Sequence, residues 1–172
     1  MNVEWFTGLF DEHAPGLWRF LARQVDAVQA EDLVAETFLT AWTAREQYRA
    51  ERGSGRAWLY GIAVNLLRRH HRVQAQQSRM SLRLVGRSRF DEGAGERERV
   101  EERLDARTRV AGLASAIAAL ADGDREVLLL NSLAGFDTRE IAAALGVPEG
   151  TVRSRLHRVR RDLREADLEG TS

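Results

Sequence analysis

The segment from Ala134 to Leu163 reads AGFDTREIAAALGVPEGTVRSRLHRVRRDL, and it predicts two helices joined by a tight corner. Asp137 followed by Glu140 has the D-x-x-E form of a capping box, placing a helix start in front of TREIAAAL. Gly146 then stops that helix, because glycine adopts positive φ without a steric penalty. Pro148 opens a second helix, in which Val152, Leu156, Val159 and Leu163 are spaced 4, 3 and 4 apart and form one apolar stripe. Ala142 and Gly146 are expected to be small where the two helices cross, with Val152 filling the angle between them. Arg153, Ser154, His157 and Arg158 project from the side opposite the stripe. Arginine can pair twice with a guanine edge and serine can meet base or phosphate, so this face suits a DNA major groove. Arg160, Arg161 and Arg164 are better placed for phosphates.

The whole 172-residue chain is 44% hydrophobic and 30% charged, the composition of a folded protein. Its only prolines are Pro15 and Pro148, and no sustained period-2 run of β-branched residues occurs. The predicted fold class is therefore all-α. One helix is expected over 4–22, carrying Trp5, Phe6, Leu9, Phe10, Leu17, Trp18 and Leu21, with Pro15 as a break. A second is expected over Ala30–Arg45, where Val34, Phe38 and Trp42 recur every four residues, Leu33 and Leu39 broaden the stripe, and Asp32 and Glu36 share the opposite side. A third is expected over 57–73, WLYGIAVNLLRRHHR, with paired apolar residues four apart and Gly61, Asn65, Arg68 and Arg72 on another face.

From 76 to 105 the periodicity fails, and a flexible linker is predicted. Beyond it, Val110, Leu113, Ala114, Ile117 and Leu120 fit an amphipathic helix. Asp122 or Asp124 is expected to cap the next one. The expected architecture is two small helical domains. A three- to four-helix bundle occupies 1–75, and a four-helix domain with the helix-turn-helix occupies 106–166.

The net charge of zero hides a strong pattern. Residues 1–51 are net −5, residues 52–90 carry 9 arginines and no acid, residues 91–137 are net −5, and residues 138–164 are net +4. Two basic blocks separated by acidic ones predict two anion-binding surfaces, both coinciding with helical motifs. All 26 basic residues are arginine even in the acidic blocks, which reflects overall composition rather than recognition. There is no cysteine, and the four histidines form no ligand-like cluster, so neither disulfide nor metal site nor other cofactor is expected. No nucleophile–base pair or phosphate loop argues for an enzyme. The N-terminal residues lack the basic start and apolar run of a signal peptide, and no run of about 18 apolar residues occurs, so a cytoplasmic protein without membrane insertion is expected.

These blocks resemble a known family. ALADGDREVLLL with DTREIAAALGVPEGTVRSRLHRVRRDLRE is similar to region 4 of bacterial sigma factors, and AEDLVAETFLTAW followed by WLYGIAVNLL is similar to their region 2. Both in this order resemble the extracytoplasmic-function (ECF) group of the sigma-70 family. The resemblance implies a protein that binds core RNA polymerase at the β′ clamp and the β flap, recognises promoter DNA and promotes initiation. It implies core-polymerase contacts at Asp32, Leu33, Glu36 and Thr37. Minus-10 contacts are implied at Arg56, Trp58, Asn65, Arg68, Arg69 and Arg72, with Asn65 reading an extruded base and Trp58 divided between a stacking and a core role. Minus-35 contacts are implied at Thr151, Arg153, Ser154, His157, Arg158 and Arg161. His157 stands where the family carries larger aromatic or aliphatic residues. An anti-sigma factor is the implied regulatory partner. The alternative is a free-standing regulator whose first half has become a dimerisation or ligand-sensing bundle.

Overall fold

A computed structural model describes the backbone of residues 3–84 and 112–169 and the side chains of residues 3–77 and 112–167. Seven helices are described: α1 (Val3–Leu21), α2 (Ala27–Thr43), α3 (Gly55–Leu84), α4 (112–119), α5 (Asp122–Ser132), α6 (Thr138–Leu145) and α7 (Glu149–Glu169). Two short 3-10 turns, Arg45–Gln47 and Ala50–Arg52, link α2 to α3. No strand occurs among the described residues.

The first three helices form a bundle. Helix α1 runs through Pro15 rather than breaking there. Leu9 lies before the proline and Leu17, Phe20 and Leu21 after it, and all four are buried in one core. Asp11, whose carbonyl a regular helix would bond to residue 15, is exposed like Pro15, so water can serve the bond the ring forbids. Trp5, Phe10 and Trp18, predicted to share the apolar stripe, are more than a third exposed.

Asp26 starts α2 three residues earlier than expected, its carboxylate accepting from the Gln29 amide at 2.9 Å. Its inward face is Ala30, Leu33, Thr37, Phe38 and Ala41. Val34 and Trp42 are half-buried, and Leu39 is 66% exposed, so the stripe is rotated from the predicted one. Ser54 accepts from the Ala57 amide to begin α3, which continues to Leu84 and makes 76–84, the start of the predicted linker, helical. The rest of that linker, with Val110, lies outside the described residues.

The second half is built on α5, α6 and α7. Arg125 wraps back over the end of α4, its guanidinium donating to the carbonyls of Ile117, Ala118 and Leu120. This satisfies acceptors that a helix C-terminus leaves unpaired. Neither Asp122 nor Asp124 caps α5; Ala121 holds that position without a side-chain bond. Asp124 is instead buried against α7.

The predicted capping box of α6 is present in both directions, with the Glu140 amide on Asp137 at 2.8 Å and the Asp137 amide on Glu140 at 3.0 Å. Gly146 closes α6 at φ 64° and ψ 34°, the left-handed conformation only glycine enters at low cost. It is not a close-crossing site as predicted, because nothing lies within 4 Å of where its β-carbon would be. Val152 and Val159 are almost wholly buried and Leu156 is 7% exposed, which seats α7 on α5 and α6.

The two halves share one continuous apolar core. Tyr60 of α3 lies 4.9 Å from Phe136, the ring that precedes α6, and both are buried. Gly61 of α3 is buried against the backbone of Ala144 in α6.

Candidate nucleic-acid and polymerase interfaces

On α7, the residues predicted to face a major groove separate into two kinds. Arg153, Ser154 and His157 are exposed, and among the described residues Arg153 pairs with Glu149, one turn earlier at 3.9 Å. Arg158 is half-exposed and ion-paired at 3.1 Å with Asp124, whose side chain is 5% exposed. A carboxylate so far from water requires its cation, so this pair ties α7 to α5. Arg161 donates to Asp162 at 2.8 Å and lies 3.8 Å from Glu165, so its charge is locally balanced; the Asp162 hydrogen bond and charge raise its pKa. Thr151 is half-buried at the helix start.

On α3, Asn65 is exposed. Three of the neighbouring arginines are turned toward the other half of the molecule. Arg56 donates to the carbonyl of Ala134, lies over the Phe136 ring at 4.2 Å and over Tyr60 at 5.5 Å, and pairs with Glu140 at 3.6 Å. Arg68 places Nε at 2.6 Å and a terminal nitrogen at 2.5 Å from one oxygen of Glu126. Arg72 approaches Asp122 at 3.9 Å. Arg69 points the other way and pairs with Glu36 of α2. Trp58 is half-buried at the end of an aromatic row, 5.1 Å from Tyr48, which is 5.3 Å from Trp5.

The Tyr48 hydroxyl donates to the Gly53 carbonyl at 3.2 Å and so ties the α2–α3 loop to this row. The hollow beside it, about 710 Å³, is bordered by Trp5, Tyr48, His13 and Arg56. Burial lowers the pKa of His13, opposed by Glu12 and reinforced by Arg56, and burial raises that of Tyr60 against the pull of Arg56. Burial, then the neighbouring His70, lowers that of His71.

On α2, the four residues predicted to meet the polymerase do not share one face. Asp32 is exposed and Glu36 is half-buried beside Arg69, but Leu33 is 5% exposed and Thr37 is wholly buried. The Thr37 hydroxyl donates to the Leu33 carbonyl at 2.6 Å, an internal bond that lets a polar side chain sit in the core. Leu33 and Thr37 are therefore core residues here, and Leu39 takes their place on the surface. Asp32, Ala35, Glu36 and Leu39 follow the i, i+3, i+4, i+7 spacing of one outward stripe; the sequence reading put Asp32 and Glu36 on that side but assigned Leu39 to the apolar one. The acids that engage Arg158 and Arg68, Asp124 and Glu126, were not singled out in the sequence at all as functional partners.

Comparison with known proteins agrees with this architecture. The profile described as Sigma-70 region 2 matches residues 9–77, and that described as Sigma-70, region 4 matches residues 112–163. The chain is 38% identical over 157 residues to the ECF RNA polymerase sigma factor SigL of Mycobacterium tuberculosis, covering 91% of this chain and 85% of that protein. It is 32% identical over 146 residues to the RNA polymerase sigma factor CnrH of Cupriavidus metallidurans, covering 81% and 73%. Among solved structures, CnrH in complex with the cytosolic domain of CnrY superposes with a TM-score of 0.63 at 28% identity, over 99% of this chain and 92% of that one. The sigma factor RpoE of Bartonella quintana, in complex with the anti-sigma factor NepR, shares the fold with a TM-score of 0.63 at 24% identity, over 95% and 97%. With both region profiles matched in order and relatives matched over most of their length, the chain belongs to the sigma-70 family of RNA polymerase sigma factors, in its ECF group.

Proposed function

We propose that this chain joins core RNA polymerase through the exposed stripe of α2, engages the minus-10 element through α3 and the loop before it, and reads the minus-35 element through α7. The observation that carries this reading is the pairing of two basic helices, α3 and α7, with an α2 face that presents Asp32, Glu36 and Leu39. Each has the chemistry its partner requires. Guanidiniums meet phosphates and guanine edges, an exposed amide at Asn65 meets a base edge, and acids meet a basic polymerase surface.

The chain supplies recognition and orientation, while bond making belongs to the polymerase. We place it in the cytoplasm, where polymerase acts. Among the described residues no helix is long and apolar enough to cross a membrane. An anti-sigma partner is proposed by analogy with the partner-bound relatives, and the acidic and apolar α2 stripe is the surface it would cover. The β flap is assigned to the second half.

Adding the purified chain to core polymerase and a genomic promoter library tests the function. Start-site-specific transcripts that require the chain are expected. Footprints on DNA without recruitment of polymerase would overturn the reading.

A further inference from the structure

Helix α7 is held to the rest of its half by two kinds of contact. The Val152, Leu156 and Val159 stripe is buried, but apolar contact is non-directional and leaves a helix some freedom to roll about its axis. A second set of contacts joins α7 to the first turn of α5. The Arg155 guanidinium lies across Gly123, where a β-carbon would come within 2.7 Å of its Nη1. One turn along α7, Arg158 Nη1 donates to Asp124 at 3.1 Å. The Asp124 side chain is 5% exposed, against 50% for Arg158, so the carboxylate is buried while part of the guanidinium stays in solvent. Ser154 lies one turn before Arg158 and His157 directly before it, and both are exposed. The pinned arginine therefore stands at the edge of the exposed face of α7, between the reading side chains and α5.

A buried carboxylate loses its cation only at high cost, which makes this contact stiff. The guanidinium is planar, so fixing one nitrogen restricts the direction of its other donors as well. Recognition of a base edge depends on that kind of control. Paired hydrogen bonds to guanine tolerate little misplacement, whereas phosphate contacts carry no sequence information. We propose that Asp124 is a positioning residue for minus-35 recognition: acting through Arg158, it fixes the roll of α7 on α5, and so the direction from which Arg153, Ser154 and His157 enter the major groove. This rests on the reading of α7 as the minus-35 helix. Asp124 is too deeply buried to reach DNA itself.

A pair that only stabilised the fold would behave differently. Its loss would lower the folded fraction and weaken binding to every duplex equally. Loss of a positioning pair blurs the reading of several base pairs and spares binding to unrelated sequence. Asp124→Asn is nearly isosteric, keeps an acceptor for Arg158 and removes the charge that holds it. Arg158→Lys keeps the positive charge but replaces the planar fork with a compact ammonium.

The full chain and both variants are assembled with core RNA polymerase and offered a promoter that the wild type transcribes, with its minus-35 bases randomised. Enrichment gives the preference at each position. Binding of each chain alone to a random-sequence duplex gives the background, and thermal melting gives the folded fraction. Asp124→Asn is expected to lose about five-fold or more in discrimination at two or more positions, with random-duplex affinity within about two-fold of wild type. Arg158→Lys should flatten the same positions, and carries the test alone if Asp124→Asn does not fold. Combining the two should cost no more than either alone, because both break one contact. Wild-type preferences in a folded variant overturn the proposal, as does uniform weakening on every sequence, which would leave the pair a role in stability alone. A change confined to one base pair also overturns it, by making Arg158 a direct reader. The underlying reading fails separately, if the wild-type chain with core polymerase shows no base preference in that window.

Discussion

Arg68 of α3 and Glu126 of α5 are 58 residues apart in sequence, yet the arginine brings two nitrogens within 2.6 Å of one carboxylate oxygen. The pair joins the half that matches region 2 to the half that matches region 4, alongside the buried contacts of Tyr60 with Phe136 and of Gly61 with Ala144. Its geometry makes the basic block of residues 52–90 more than a phosphate-binding surface. Part of that positive charge is spent on acids of the same chain, which fits a net charge of zero assembled from opposed blocks.

Asn65 lies beside this contact but is exposed. Asn65→Ala is expected to impair promoter opening while leaving affinity for core polymerase unchanged. Permanganate footprinting of the melted region, alongside a polymerase pull-down, measures both. Loss of polymerase binding would show that α3 serves the wrong partner in this assignment.

Helix α2 offers a contrast between two adjacent residues. Leu33→Ala removes a side chain that is 5% exposed and should lower stability by about 2–5 kcal/mol, seen in chemical denaturation. Asp32→Arg should leave stability unchanged and weaken polymerase binding by about ten-fold, ~1.4 kcal/mol. Equal effects of the two on polymerase binding, with no loss of stability from Leu33→Ala, would contradict the orientation of this helix.

On α7, the Arg153 side chain is 67% exposed and pairs with Glu149 one turn earlier. Arg153→Ala is expected to cost about 1–3 kcal/mol at one minus-35 base pair and to relax specificity there. Anisotropy titrations of duplexes substituted one position at a time check this. Uniform weakening across all sequences would make it a phosphate contact instead.

The His13 side chain is 14% exposed, and burial lowers its pKa from the usual 6.5, with Arg56 adding to the effect. The unfolded chain therefore takes up a proton at this histidine more readily than the folded one. Its contribution to stability is full above pH 6.5 and is lost as the pH falls through the lowered value. Denaturation midpoints at pH 7.5 and 5.5 should differ less in His13→Asn than in the wild type. An identical pH dependence in both would rule the histidine out as a source.

The helix-turn-helix was legible in the sequence because its signals are local. The Asp137–Glu140 box spans four residues, Gly146 answers a requirement of its own backbone, and the Val152, Leu156 and Val159 stripe follows from helical periodicity. The all-α class and the family were readable for the same reason, since composition and two ordered blocks carry them. Only tertiary structure decided the rest. Leu33 and Leu39 are equally apolar on one helix, and the angle at which α2 meets α1 and α3 chose Leu33 for the core. Pro15 stays within α1 because residues on both sides of it are anchored in the same core. Packing also chose the partners of Arg68 and Arg158, at separations of 58 and 34 residues. Charge attraction carries no sequence address, so any of the chain's acids could have answered an arginine until the packing of α3 on α6, and of α7 on α5, brought particular ones near.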